Sequence, residues 1–165
     1  MKSLPCFAAV ALFATSAFAQ TSDPLTIRRP DGTSISLSAA QLSALPRVNG
    51  RASAHGNAFA YEGHDLREVL RLGGITSVDS LRGRDLRRVV VFAGSDGYAA
   101  VMALSEFDSS IGGRRAIVVD REDGKPLPAE RGPRRLIVEG DQRPTRWVRQ
   151  LVRIEVVDVS NAPAR

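Results

Sequence analysis

The chain has 165 residues, of which 43% are hydrophobic, 25% charged and only 5% aromatic, with a formal net charge of +5. That length suits one domain, and that composition excludes a disordered chain, a collagen-like fibre and a polytopic membrane protein. Of 23 basic residues only Lys2 and Lys125 are lysines, so the charge comes from 21 arginines.

Residues 1–19 read as a secretory signal peptide. Lys2 supplies the charged start, Phe7 to Phe13 the short apolar run, and Ala17-Phe18-Ala19 the small-residue cleavage motif. Cleavage after Ala19 makes Gln20 the mature N-terminus and predicts a periplasmic or secreted, soluble product. Removing those 19 residues from 165 leaves 146 and removes Cys6, the one cysteine. The mature chain therefore forms no disulfide and offers no thiolate to a metal or a substrate. No later apolar run is long enough to span a bilayer as a helix.

Residues 20–160 are expected to form a single domain, followed by a disordered tail over 161–165. Leu25 to Leu37 predicts a hairpin turning at Pro30-Asp31-Gly32. Ser38 predicts the cap of a short helix ending before Pro46, and Arg47 to Glu62 a second strand pair around His55-Gly56-Asn57. Asp65 should cap the helix LREVLRL, which Gly73-Gly74 ends. The continuous apolar run Val89 to Phe92 predicts a buried strand, and Gly94 to Gly97 turns it into Tyr98 to Met102. Ser105 suggests the cap of a helical turn. Ala116 to Val119, Arg134 to Glu139 and Gln150 to Val159 predict three more strands. Short helices among hairpins indicate an α+β fold.

The arginine doublets Arg28-Arg29, Arg87-Arg88, Arg114-Arg115 and Arg134-Arg135 put neighbouring side chains on opposite faces of a strand, so they read as solvated edges and make no single patch. With no stacking aromatics interleaved, they do not predict nucleic-acid binding. The stretch Arg143-Pro144-Thr145-Arg146-Trp147-Val148-Arg149 is different: three guanidiniums and an indole lie in one loop, a composition suited to phosphate or another oxyanion. His55 and His64 both sit beside glycine or a helix start. Two histidines without cysteine do not make a metal site, and no nucleophile elbow, zincin or P-loop motif occurs, so no catalytic residue is assigned.

Four stretches carry a resemblance: YEGHDLREVLRLGG (Tyr61 to Gly74), SDGYAAVMALSEF (Ser95 to Phe107), DGKPLPAERGPRRLIVEGD (Asp123 to Asp141) and RPTRWVRQLVRIEV (Arg143 to Val156). Together, in this order, they resemble the oxidoreductase molybdopterin-binding domain of sulfite-oxidase-type proteins. The resemblance implies an α+β fold of several small mixed sheets with short helices, and a pocket for a pterin–molybdenum cofactor or a similar small anion. It implies cofactor contacts from Arg143 and Arg146, with His55 near the pocket mouth and Trp147 packing the loop. It also places Val48 to Asn57 where the family's enzymes supply a cysteine ligand to molybdenum; here the segment reads VNGRASAHGN. Among mature residues only the Met102 thioether remains as a sulfur donor, and it is a weaker ligand. Three readings follow: a molybdopterin-binding protein with redox catalysis weak or absent, an enzyme whose molybdenum is held only by cofactor and solvent ligands, or a non-catalytic interaction protein that uses the fold with an empty pocket and a protein partner.

Overall fold

A computed structural model describes residues 23–161; the predicted leader lies outside the described residues. Two sheets carry the domain, with strand order β2-β1-β10-β5-β6 in one and β3-β4-β7-β8 in the other, and β9 paired to β7. The first hairpin is β1 (Leu25–Arg28) and β2 (Ser34–Leu37), turning where Asp31 accepts from the Thr33 N–H. Ser38 caps α1 (Ala39–Ser43): its hydroxyl accepts from the Gln41 N–H while the Gln41 side chain accepts from the Ser38 N–H. Next come β3 (Val48–Ala54) and β4 (Asn57–Asp65), then α2 (Leu66–Leu72), whose first turn Asp65 caps through the Arg67 N–H. Such a cap is worth about 1 kcal/mol. Leu66, Val69 and Leu70 bury one face of α2 against β4 and β7.

The second half holds β5 (Arg88–Gly94), β6 (Ala99–Ala103), β7 (Ala116–Glu122), the two-residue β8 (Lys125–Pro126), β9 (Arg135–Val138) and β10 (Leu151–Asp158). Chain order alone does not suggest how the first sheet closes. β1 pairs in parallel with β10 from the far end of the domain, Ile27 opposite Ile154. One apolar cluster joins both sheets through Leu25, Ile27, Phe92, Ile154 and Val156 on one side and Ile117, Val118 and Ile137 on the other. Phe92 and Phe107 meet edge to face at 6.2 Å inside it.

Three expectations change. β5 is buried on one face only: Val90 and Phe92 point inward, while Val89 and Val91 stay partly exposed. Ser105 lies inside a 3-10 turn (Leu104–Glu106) and does not cap it; the Glu106 carboxylate accepts from the Ala103 N–H instead. Arg134 and Arg135 are buried, not solvated: Arg134 donates to the Asp23 carbonyl and Arg135 to Glu122. A final 3-10 turn (Val159–Asn161) reaches one residue into the segment expected to be a tail.

Candidate functional site

The β3–β4 hairpin ends in a two-residue loop, His55-Gly56, with φ of 52° and 82°. Two positive φ values are what the right-handed twist of paired strands asks of so short a loop, and glycine accepts them more readily than histidine. The turn projects the exposed His55 between two neighbouring cavities.

A second segment, Gly140 to Gln150, faces this tip. Gly140 (φ 79°) turns the chain out of β9, and Pro144 opens a 3-10 turn over Pro144–Arg146. Proline thus starts a helical turn here, where its missing N–H costs nothing. Arg146 holds the segment in place: its Nε donates to Asp141 Oδ2 at 3.1 Å, its Nη2 to Asp141 Oδ1 at 2.6 Å and its Nη1 to Glu106 Oε2 at 3.1 Å. The Asp141 hydrogen bonds, followed by those of Glu106, push the Arg146 pKa further above its ordinary value. Trp147 closes the turn, buried, with Nε1 donating to the Val138 carbonyl at 3.1 Å.

The larger cavity, about 750 Å³, lies between the hairpin, this segment and the β5–β6 turn. Its wall is a stack. The Arg135 guanidinium sits 5.5 Å from the ring centroids of both Phe59 and Trp147, and the two rings meet edge to face at 6.4 Å. Arg135 is 5% exposed and pairs with Glu122, which also takes Arg131 Nη2 at 2.9 Å. Burial, opposed by the Glu122 charge, lowers the Arg135 pKa, and the nearby Arg131 and Arg149 cations lower it further. The Nε atoms of Arg131 and Arg135 are buried without a hydrogen-bond partner. Arg143 and Arg149 line the same space and make no ion pair among the described residues. Four guanidiniums therefore gather around a cavity whose nearby carboxylates are Glu122, behind the wall, and Asp96, on the rim. Such an excess of positive charge, with unused N–H donors, is chemistry for an anion.

The smaller cavity, about 550 Å³, adjoins the first across His55, Gln142, Pro144 and Trp147. Tyr61 reaches it across β3 because residue 50 is glycine: a Cβ there would stand 2.3 Å from the Tyr61 hydroxyl. That hydroxyl donates to Glu139, which Arg115 also approaches at 3.2 Å. Burial, followed by the Glu139 hydrogen bond, raises the Tyr61 pKa above its ordinary value.

The structure brings His55 and Arg143 to the larger cavity and leaves Arg146 beside it, occupied by Asp141 and Glu106. Trp147 packs the segment and also lines both cavities. Met102 is buried on β6 and lines neither cavity, so its sulfur does not stand in for a cysteine. His64 borders α2 from the end of β4; it is 2% exposed, with Nδ1 3.2 Å from the Pro46 carbonyl. Sequence reasoning did not single out Arg131, Arg135 or Phe59. A weak signal existed for Arg135, since a charged residue that opens the apolar run LIV must be buried with a partner. Among the described residues no group of three or more His, Cys, Asp or Glu side chains could hold a metal ion, and no helix is long and apolar enough to cross a membrane.

No curated relative matches the sequence. The crystal structure of the sulfane dehydrogenase SoxCD from Paracoccus pantotrophus shares the fold, with a TM-score of 0.65 and 14% identity over 86% of this chain and 39% of that one. This chain thus spans well under half of that neighbour, and the likeness is one of fold. The sequence itself matches the oxidoreductase molybdopterin binding domain over residues 21–163, nearly the whole chain. With the sulfite-oxidase-type sheets and the basic cavity in place, the chain belongs to the oxidoreductase molybdopterin binding domain family.

Proposed function

We propose that this chain is an exported molybdopterin-cofactor-binding protein with weak or absent redox turnover. The carrying observation is the gathering of Arg131, Arg135, Arg143 and Arg149 around one cavity next to the Phe59–Trp147 wall. A cavity of about 750 Å³ falls in the size range of ligand pockets, roughly 300–1,000 Å³. The residues fit the organic, anionic part of the cofactor. Arg143 and Arg149, exposed and without an ion pair among the described residues, would pair with a phosphate, and Arg131 and Arg135 would add positive charge to the cavity wall. Arg146 would act through the segment it fastens, keeping Arg143 at the rim. His55 would border the ligand.

The fit stops at the metal. From the Val48 to Asn57 segment the cavity takes Ala54, His55 and Asn57, none of which carries sulfur. When bound, the cofactor would supply a redox-active molybdenum held by its own dithiolene; this chain's residues add no thiolate to tune it. That same observation favours the second reading, a non-catalytic protein that uses the basic cavity or its surroundings for interaction.

Export rests on the leader over residues 1–19; N-terminal sequencing of exported protein should begin at or near Gln20, and intact Met1 on a cytosolic protein would refute it. Calorimetric titration with a phosphorylated pterin tests the cavity. Arg143→Ala combined with Arg149→Ala should weaken binding at least about tenfold, the loss of one or two charge-assisted hydrogen bonds at roughly 1.5–3 kcal/mol each. Unchanged affinity in the double variant would move the ligand elsewhere.

A further inference from the structure

The first sheet ends in a strand edge that none of the site chemistry uses. Among the described residues β6 pairs with β5 on one side only, Val91 opposite Val101 and Ala93 opposite Ala99. The hydrogen bonds fix which backbone groups face outward. At the hairpin end the Gly94 N–H donates to the Tyr98 carbonyl across the pair, so along β6 the partnered positions alternate from Tyr98 to Ala100 and Met102. The N–H groups of Ala99, Val101 and Ala103 therefore point away from β5. Ala103 confirms the alternation, because its N–H is taken by the Glu106 carboxylate at 3.2 Å. Among the described residues, the N–H and carbonyl groups of Ala99 and Val101 have no partner on that edge.

Exposed strand edges are normally blunted by lysine, proline, a bulge or an inward charge. β6 has none of these: Tyr98 to Ser105 carries no charge and no proline, and its pairing with β5 has no register shift. The opposite edge, β2, presents Ser34 and Ser36, and β3 presents Arg51. The side chains of β6 repeat the anomaly. Val101 is 58% exposed on the outer face, and with the partly exposed Val89 and Val91 it makes β5 and β6 apolar on both faces. Together these side chains form an apolar strip on the outer face that runs up to the edge of β6.

We propose that β6 pairs antiparallel with β6 of a second copy of this chain, about a two-fold axis at Val101, joining two five-stranded sheets into one. A second copy fits because the strand is complementary to itself. The axis sets Val101 opposite the partner's Val101 and Ala99 opposite the partner's Ala103, so within the strand itself no charged side chains meet and the facing side chains are small. The Val101 N–H and carbonyl on each copy satisfy those of the other, and the apolar strips of the outer faces become continuous. Glu106 limits the pairing by closing the edge at Ala103, so the association is weak and concentration-dependent. Tyr98, which leads into β6, also lines the larger cavity, so the contact begins at the cavity rim. The proposal does not depend on a cofactor.

Sedimentation equilibrium over a wide concentration range tests it, with the full chain carrying Cys6→Ser. The mass should rise from one chain toward two. Val101→Lys should hold it at one chain with an unchanged thermal midpoint, because the side chain already faces solvent. Val101→Cys in the same background should form an intermolecular disulfide under mild oxidation much faster than Ser36→Cys on the opposite edge. A chain that stays monomeric throughout, a dimer that persists in Val101→Lys, or equal cross-linking at both positions would each overturn the proposal.

Discussion

Arg146 and Asp141 form a two-pronged pair, Nε to Oδ2 at 3.1 Å and Nη2 to Oδ1 at 2.6 Å, that fastens the basic segment to the end of β9. Arg143, three residues earlier, makes no ion pair among the described residues. The two arginines therefore have separable effects. Arg146→Ala should lower unfolding stability by about 1–3 kcal/mol, because it removes one of two guanidinium partners from the mostly buried Asp141 carboxylate. Arg143→Ala should stay within about 0.5 kcal/mol of the parent, as exposed substitutions do. Urea titrations of both variants measure the difference, and equal losses would deny it.

Among the described residues Glu122 is the one carboxylate paired with the buried Arg135, and it is itself 9% exposed. Removing it leaves a cation stacked between two aromatic rings with no counter-charge. Glu122→Ala should cost about 3–5 kcal/mol, and Glu122→Gln less, since the amide oxygen still accepts. A loss under about 1 kcal/mol for Glu122→Ala would mean that the Phe59–Trp147 stack and solvent hold Arg135 without it.

Ile154 anchors the parallel pairing of β1 with β10 and is fully buried. Ile154→Ala should cost about 2–5 kcal/mol. A cost below about 0.5 kcal/mol would remove it from the core. This site also marks the limit of sequence reading. The hairpin of β1 and β2, the Ser38 and Asp65 caps and the turn at His55-Gly56 were legible because each depends on residues a few positions apart. The β1–β10 pairing was not, because nothing local in LTIR selects a partner at the other end of the chain. β5 shows a related limit: its continuous apolar run indicates a buried strand, but nothing local says that the domain covers only one of its faces.

The candidate site was legible in the same uneven way. Arg143 and His55 came from local composition and from resemblance, and both line the cavity. Arg149 belonged to the same basic stretch as Arg143, whereas Arg131 and Arg135 join them there only through the fold around β9, which pairs with β7. Arg146 belonged to the same basic stretch, but the acids that occupy it include Glu106, which lies well outside that stretch.

Asp108 sets an acid limit. The Ser110 hydroxyl, followed by the Leu81 N–H, holds its carboxylate down to a pKa of about 2, against an ordinary value of 3.8. A folded-state pKa below the unfolded one gives stability that is complete above the unfolded value and lost as pH falls through the folded value. Stability should therefore decline from about pH 4 towards pH 2. Asp108→Asn should be less stable at neutral pH and show a flatter acid limb. Parallel curves for parent and variant would show that other carboxylates set the decline.

The proposed cofactor site in the basic cavity is tested most directly by the molybdenum and pterin content of the protein purified from its native compartment. The account predicts both, in proportion to protein, and loss of both from a folded variant carrying Arg143→Ala and Arg149→Ala. A folded native preparation holding neither molybdenum nor pterin would contradict it and leave the interaction reading in its place.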